Sequence, residues 1–470
     1  MKVQITTNNR DLKFKRVCAE AETQMRRLKI PGAAIGILYQ GREYYAGLGV
    51  TSVENPLPVT ADTLFQIASV SKTFLAQTVT RMVEARKLSL DTPIRKYLPE
   101  FRMRDASVTR DVTMRHLLTH TGGWVGDYFN DFGGGADALE KMVFSMRTLP
   151  QASPLGEIWS YNNAGFYLAA RILEKLTGKP FEQVIKEQVF DPLGMRRTFY
   201  SHSEVMTHNF AAGHRIIKNK TVVARPYGQG RSTSPAGGII TTTRDLLRFA
   251  RFHIGDGTFL GKRIVSSRGM AMRHSPSIET TAGKRMGLSW FTFPAGNSLT
   301  LWHGGSINGQ KTDFRVIPEK KFGLAIFTNS DYGGEVCSKI AGAALKEFLG
   351  IQSPPDRPIV LPKSECEEYF GHYDVPLSSC EVTSDAKGVL VKITDKGGFP
   401  TPASPPLNQP PPARVAFYAK DKIMGIKSPY LPLRGEFLRD AEGKIKWLMI
   451  MHRAHRRVHG RGDSKVRTIR

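Results

Sequence analysis

Acidic residues are scarce in this chain: 42 Asp and Glu stand against 67 Lys and Arg over 470 residues, a formal net charge of +25. Cysteine is scarcer still. Cys18, Cys337, Cys366 and Cys380 are too few to staple a chain this long, so no disulfide framework is expected. None sits in a Cys-x-x-Cys pair, and His116 and His120, four apart, lack the glutamate of a metalloprotease helix. No metal and no other cofactor is therefore expected, and the thiols read as reduced and mostly buried. No run of 18 apolar residues occurs, which excludes a membrane-spanning helix. The first thirty residues hold neither an apolar core nor a small-residue cleavage site. With Met1 as the natural start a cytoplasmic protein is expected, and a trimmed start would fit a periplasmic or secreted one.

The basic excess is densest in the last twenty residues, which hold six arginines and one lysine against one aspartate. No stripe of aromatics interleaves with it. The charge therefore reads as general attraction to anions, and no nucleic-acid partner is expected. Arg461-Gly462-Asp463-Ser464 spells an integrin-type tripeptide, which in a basic tail reads as coincidence.

The length suits one large domain and one smaller one. Residues 33–50 alternate as two strands around a turn at Gln40-Gly41. From Ser69 to Arg86, Phe74, Leu75, Val79, Met82 and Val83 recur at helical spacing. Further helices are predicted over 111–118, 136–147, 163–177, 181–190 and 243–254, the last capped by Thr243. Strands follow in GLSWFTF, SLTLWHG, TDFRVIP and FGLAIFTN, then a helix over 335–349. Strands, then helices, then strands and a helix describe an α+β domain with one antiparallel sheet. The stretch 351–363 reads as a linker, 364–460 as a small all-β domain, and 461–470 as a basic tail. Within the small domain, a segment with seven prolines between Gly397 and Arg414 reads as a loop.

Three segments carry chemistry. Ser69-Val70-Ser71-Lys72 opens the first long helix, which puts Ser69 at the positive end of the helix dipole and Lys72 on the same face. A lysine desolvated in a cleft can lose its proton and serve as a base. Ser384-Asp385-Ala386-Lys387 has the same spacing but precedes a strand, where the two side chains do not share a face. Tyr161-Asn162-Asn163 follows Pro154-x-Gly156-x-x-Trp159 and leads into a helix. His303-Gly304-Gly305-Ser306 ends a predicted strand. Two look-alikes, Tyr128-Phe129-Asn130 and His120-Thr121-Gly122, lack the flanking context.

In this order the three segments resemble the signature of the penicillin-recognising serine hydrolases, over roughly residues 20–350. The likeness is to class C β-lactamases and to their peptidase and esterase relatives, D-aminopeptidases and D,D-carboxypeptidases among them. His116-Leu-Leu-Thr-His120-Thr-Gly-Gly, Ala236-Gly237-Gly238 and Gly287-Leu-Ser-Trp290 are similar to supporting segments of that family. The resemblance implies a class C β-lactamase-like domain: an antiparallel sheet flanked by helices, plus an all-helical subdomain. It implies that Ser69 attacks the substrate carbonyl and that Lys72 and Tyr161 share the proton transfers. It also implies that Asn163 bonds the substrate amide and that the backbone N–H groups of Ser69 and Ser306, beside Gly305, cradle the oxyanion. His303 stands where most β-lactamases carry lysine, which turns the expectation from penicillins toward peptides or amides. Gln310 and Lys311 read as ordinary loop polars rather than pocket walls. Tyr369-Phe-Gly371-His-Tyr373 resembles the opening of the lipocalin-like barrel appended to many members, which would cap the cleft of its own or a neighbouring chain. The expected activity is a serine hydrolase forming an acyl-enzyme, a peptidase or amidase on small peptides. A carboxylesterase, a weak β-lactamase and a non-turning-over penicillin-binding sensor are the alternatives. The partners are then a small peptide, amide or ester, with a homo-oligomer left open.

Overall fold

The apolar spacing of Phe14, Val17, Cys18, Ala21 and Met25 builds one stripe along the helix Leu12–Leu28, capped by the Asp11 carboxylate. That stripe lies against the helix Gly333–Leu349, through Val336, Ile340, Ala341 and Ala344. The two chain-distant helices together cover one face of a nine-stranded sheet. The computed structural model describes residues 3–7, 10–281, 283–352, 357–359, 361–406, 409, 411–427, 430 and 433–458. Most of the stretch 351–363 that reads as a linker is among them, whereas the stretch 461–470, with Arg461-Gly462-Asp463, lies outside.

The sheet runs Ile5–Thr7, Arg42–Gly49, Gly32–Tyr39, Phe322–Thr328, Gln310–Ile317, Ser298–Ile307, Phe291–Ala295, Arg285–Met286, Ile278–Glu279, all antiparallel. Its strands at the centre read as apolar on both faces because helices cover both. The second face meets the helix Thr243–Ile254 and the larger core, where Phe249 stacks on Phe74 at 3.9 Å between ring centroids. Phe74 belongs to the helix Ser71–Glu84, buried along nearly all its length between the sheet and a helical subdomain. The architecture is the expected α+β one, an antiparallel sheet covered by helices on both faces with a helical subdomain beside it.

Several local expectations are corrected. The helix over 111–118 is two short ones, Ala106–Asp111 and Met114–Leu118, because Val112 and Thr113 between them are extended. The helix over 136–147 is Ala138–Ser145 followed by a tighter turn to Thr148. The one over 181–190 changes after Ile185 to a wider turn, Lys186–Phe190. Gly287–Trp290 is no strand: Gly287 N–H bonds the Trp290 carbonyl at 2.7 Å, and Ser289 takes φ 61°. The cap of the Thr243–Ile254 helix is Thr242, whose hydroxyl accepts from Asp245 N–H at 3.2 Å. Thr242→Ala is expected to destabilise the protein by about 1 kcal/mol, read as a fall in denaturant midpoint at unchanged slope.

Eight strands between Gly371 and Val458 close into a barrel, the first paired with the last through His372 and Val458. Its interior is filled by Tyr373, Val382, Val391, Phe417, Phe437 and Leu448. The strand Ile445–Ile450 is apolar on both sides for a physical reason. Leu448 and Ile450 point into the barrel, while Trp447 and Met449 face outward onto Trp159, Tyr161 and Phe291 of the larger domain. The barrel is thus docked on the motif-bearing domain by a continuous apolar contact.

Candidate active site

Ser69 lies in a one-turn 3-10 segment, Ala68–Val70, that leads directly into the helix Ser71–Glu84. Ala68 before it takes φ 47°, a left-handed conformation unusual for a residue with a side chain. The Ser71 hydroxyl fastens the turn, donating to Ala68 O at 2.6 Å and accepting from Ile239 N–H at 3.0 Å. This presents the Ser69 hydroxyl, part-exposed, above a fully buried Lys72.

Lys72 Nζ lies 3.2 Å from Ser69 Oγ, 2.8 Å from Asn163 Oδ1 and 2.6 Å from Ala236 O. Burial holds this amine well below the ordinary lysine range, and the Arg453 charge adds to the effect. A neutral amine has two N–H donors and one lone pair. Asn163 and Ala236 are pure acceptors here and take both donors, so the lone pair is left for the Ser69 proton.

Tyr161 faces the same serine from across the cleft. Its phenol oxygen is buried and makes no completed hydrogen bond, although Ser69 is near enough to favour its ionised form. Burial nonetheless pushes the phenol up, so at neutral pH it holds its proton. The ring is clamped between His120, stacked at 4.3 Å, and the Arg453 guanidinium, 4.7 Å from the ring centroid. His303 completes the wall. Its Nδ1 lies 2.7 Å from Gly304 O, and its Nε2 is buried without a partner. Burial pushes this imidazole down to about 3, so it is neutral.

Residues His303–Ile307 pair only with the Gln310–Ile317 strand, because the strand on the other side stops at Trp302. The free edge leaves backbone groups of Gly305 and Ser306 beside the nucleophile turn. Gly305 is required there: a Cβ would sit 2.2 Å from Ile67 O. Ser306 is exposed and its hydroxyl accepts from Lys311 Nζ at 2.6 Å. Gln310 is buried in the framework, its Oε1 accepting from Gln66 N–H and its Nε2 donating to Ala211 O.

The structure therefore brings Ser69, Lys72, Tyr161, Asn163, His303, Gly305 and Ser306 to one cleft. The look-alikes stand elsewhere: Ser384 lies in the strand Ser378–Asp385, whose hairpin turn holds Lys387, and Tyr128 bonds Ser145 and Asn130. His120, set aside as a look-alike, is nonetheless a direct support of Tyr161. The geometry differs from the expected use of Asn163. Its Nδ2 donates to Asp127 Oδ1 at 2.9 Å, so both ends of the amide are already engaged within the protein.

Two groups had escaped the motif reading. Asp127 is largely buried, with 10% of its side chain exposed, and is paired in a two-bond clamp with Arg453, Nε to Oδ2 and Nη2 to Oδ1, each at 2.8 Å. Arg453 comes from the barrel, just beyond a two-residue hairpin at Met451-His452 with φ 50° and 65°. Tyr161 N–H donates to His452 O at 2.9 Å, and Ala454 N–H donates to Ser160 Oγ at 3.2 Å. The apolar run WLMIM pointed to a strand covered on both faces, but nothing in it specified the Arg453 partner. Among the described residues no cluster of His, Cys, Asp and Glu suits a metal ion, and no helix is long and apolar enough to cross a membrane. The four cysteines are free.

The sequence profile of the Beta-lactamase family matches residues 19–347. Penicillin-binding protein 4 of Amycolatopsis lactamdurans is 29% identical over 333 residues, covering 69% of this chain and 87% of that protein. Unguisins hydrolase ungD' of Aspergillus campestris (strain IBT 28561) is 26% identical over 403 residues, 81% of this chain and 71% of that one. Among solved structures, SurE with D-Leu superposes with a TM-score of 0.72 at 22% identity, covering 95% of this chain and 99% of that one. The octameric penicillin-binding protein homologue from Pyrococcus abyssi does so at 0.62 and 25% identity, covering 91% and 96%.

Proposed function

Because the chain belongs to the Beta-lactamase family, we propose that it hydrolyses small peptides or amides through an acyl-enzyme on Ser69. The observation that carries this reading is the Lys72 amine, fully buried, 3.2 Å from Ser69 Oγ and with both N–H donors already used. Lys72 takes the hydroxyl proton as Oγ bonds the substrate carbonyl carbon. The negative charge that develops on the carbonyl oxygen is met by the backbone N–H groups of Ser69 and Ser306. Tyr161, which keeps its proton at neutral pH, is the donor to the leaving nitrogen as the C–N bond breaks. Lys72 passes the serine proton to Tyr161. Water then attacks the ester and gives one proton to this pair, and that proton is delivered to Ser69 Oγ as the C–O bond to the serine breaks and the acid leaves.

Substrate preference rests on His303. A neutral imidazole at about 3 offers no positive charge to the carboxylate of a penicillin. Two of the similar proteins fit this reading: one is an unguisins hydrolase, and SurE is seen with D-Leu. We read the substrate as a small peptide with a D-residue at the bond cut, and the barrel, read as lipocalin-like, as a wall of the cleft. An octameric homologue makes a homo-oligomer compatible with this reading. The test is a panel of L- and D-aminoacyl anilides, p-nitrophenyl esters and nitrocefin. D-aminoacyl anilides are expected to show the highest kcat/KM, and nitrocefin turning over fastest would refute the assignment.

The pH dependence follows from Lys72. Activity needs the unprotonated amine, and burial holds it well below its usual range, so activity persists at neutral pH. It is lost as pH falls and the amine gains a proton. Lys72→Arg is expected to be inactive across the whole profile, since a guanidinium keeps its proton throughout. An arginine variant with a wild-type profile would remove Lys72 from the mechanism.

A further inference from the structure

Arg453 lies 326 positions from Asp127 in the chain, yet its two bonds carry a barrel charge into the cleft. The route continues inward. Asp127 Oδ1 accepts from Asn163 Nδ2, and Asn163 Oδ1 accepts from Lys72 Nζ. A carboxylate accepts only, so Asp127 forces the Asn163 amide to turn its NH2 outward and its carbonyl toward Lys72. With the amide reversed, an NH2 would face the amine, and one of the two acceptors that free the Lys72 lone pair would be gone.

The charges follow the same line. Asp127 is largely buried, and Arg453 and, when protonated, Lys72 are the cations it faces. The other titratable groups around Lys72 are Tyr161, His120 and His303, with Tyr167 beside Asp127 and Tyr161, each held in its neutral form by burial. His452, on the barrel side, is neutral too, with Lys284 beyond it. Without Arg453, the negative charge of Asp127 would be left with Lys72 as its remaining counter-ion, and an amine so paired keeps its proton.

We infer that Arg453 is a positioning residue, carried into the cleft by the barrel, that acts through Asp127 and Asn163 to hold the Lys72 amine in its proton-accepting form. The barrel is on this account part of the catalytic unit and more than a cover. The inference rests on the reading of Lys72 as the base.

Three variants of the full-length protein test it by their pH profiles of kcat. Arg453→Gln is expected to lower kcat at neutral pH by about tenfold to a hundredfold and to move the acidic limb up by about one pH unit. Asp127→Asn keeps an acceptor for Asn163 Nδ2 while deleting the negative charge, and is expected to move the limb the opposite way, to lower pH. Combining the two is expected to recover most of the wild-type kcat, because no uncompensated charge remains. Opposite shifts and mutual rescue are not produced by a loss of structure. Asp127→Asn leaves the barrel untouched, so it reads the same charge if Arg453→Gln fails to fold. A rise in KM alone for Arg453→Gln, unmoved profiles, or a double variant no better than Arg453→Gln would overturn the inference. Should Lys72→Arg stay active, the base assignment fails. Should Lys72→Arg be inactive while the Arg453 and Asp127 profiles stay at wild type, the relay alone fails.

Discussion

Ser69→Ala is expected to reduce kcat by a factor on the order of 10,000 or more while leaving the melting temperature near that of wild type. The size follows from the arrangement of the cleft. Lys72, Tyr161 and His303 have no other nucleophile to serve, since the neighbouring hydroxyl, Ser71, is turned away and engaged with Ala68 O and Ile239 N. Residues that act as one unit lose nearly the whole rate enhancement when one is removed. The fold should tolerate the change because the Ser69 hydroxyl is part-exposed and meets the cleft groups Lys72 and Tyr161 rather than the framework. The measurement pairs turnover of an activated ester with intact-protein mass spectrometry. Wild type is expected to gain the mass of the acyl group and then lose it, and the variant to gain none. A variant that still acylates would place the nucleophile elsewhere.

Gly305→Ala is expected to cost at least about a hundredfold in kcat/KM, although it adds a single methyl group far smaller than any substrate. The methyl carbon would lie 2.2 Å from the carbonyl oxygen of Ile67, two residues before Ser69. That neighbour is backbone, held by Ile67 N–H to Ile239 O at 3.0 Å, and cannot swing aside as a flexible side chain would. Either the free strand edge or the nucleophile turn has to retreat. An error of about 1 Å between a nucleophile and the groups that stabilise its oxyanion is enough for a loss of that size. Overpacking should also destabilise the fold by about 1–3 kcal/mol. Gly304→Ala is the control: there the methyl group meets the Trp302 ring at 3.1 Å, and a ring can shift by a few tenths of an ångström. Equal losses at both positions would mean that strand stiffness, and not the approach to Ile67, sets the rate.

How much of this was legible before the fold can be judged residue by residue. The helix predicted from Ser69 and the strand predicted over SLTLWHG were readable because period 3.6 and period 2 are properties of neighbouring residues, although the helix proper starts at Ser71 and the strand runs on to Ile307. The division of residues 106–118 into two helices was not, since it depends on the Asp105 cap and on the extended Val112 and Thr113. Thr242 and Thr243 are alike as letters, and only the hydroxyl that reaches Asp245 N–H tells which one caps. The three chemical segments stood out by order and spacing. The structure adds that their side chains share a cleft, and that Asn163 spends its amide on Asp127 and Lys72.

The sequence alone determined the chemistry on offer: a serine and a lysine one helical turn apart, a tyrosine and an asparagine entering a helix, and a glycine-rich strand end with histidine in place of lysine. Local order suffices for that, because each motif is a few residues long and its geometry is set by its own backbone. Only the tertiary structure decided the state of those groups. Whether Lys72 is an amine or an ammonium depends on burial beneath the sheet edge and on a carboxylate and a guanidinium 326 positions apart. Electrostatic coupling in a dry interior depends on distance in space and on the absence of water. Neither is written in the order of residues until the barrel docks and puts Arg453 beside Asp127.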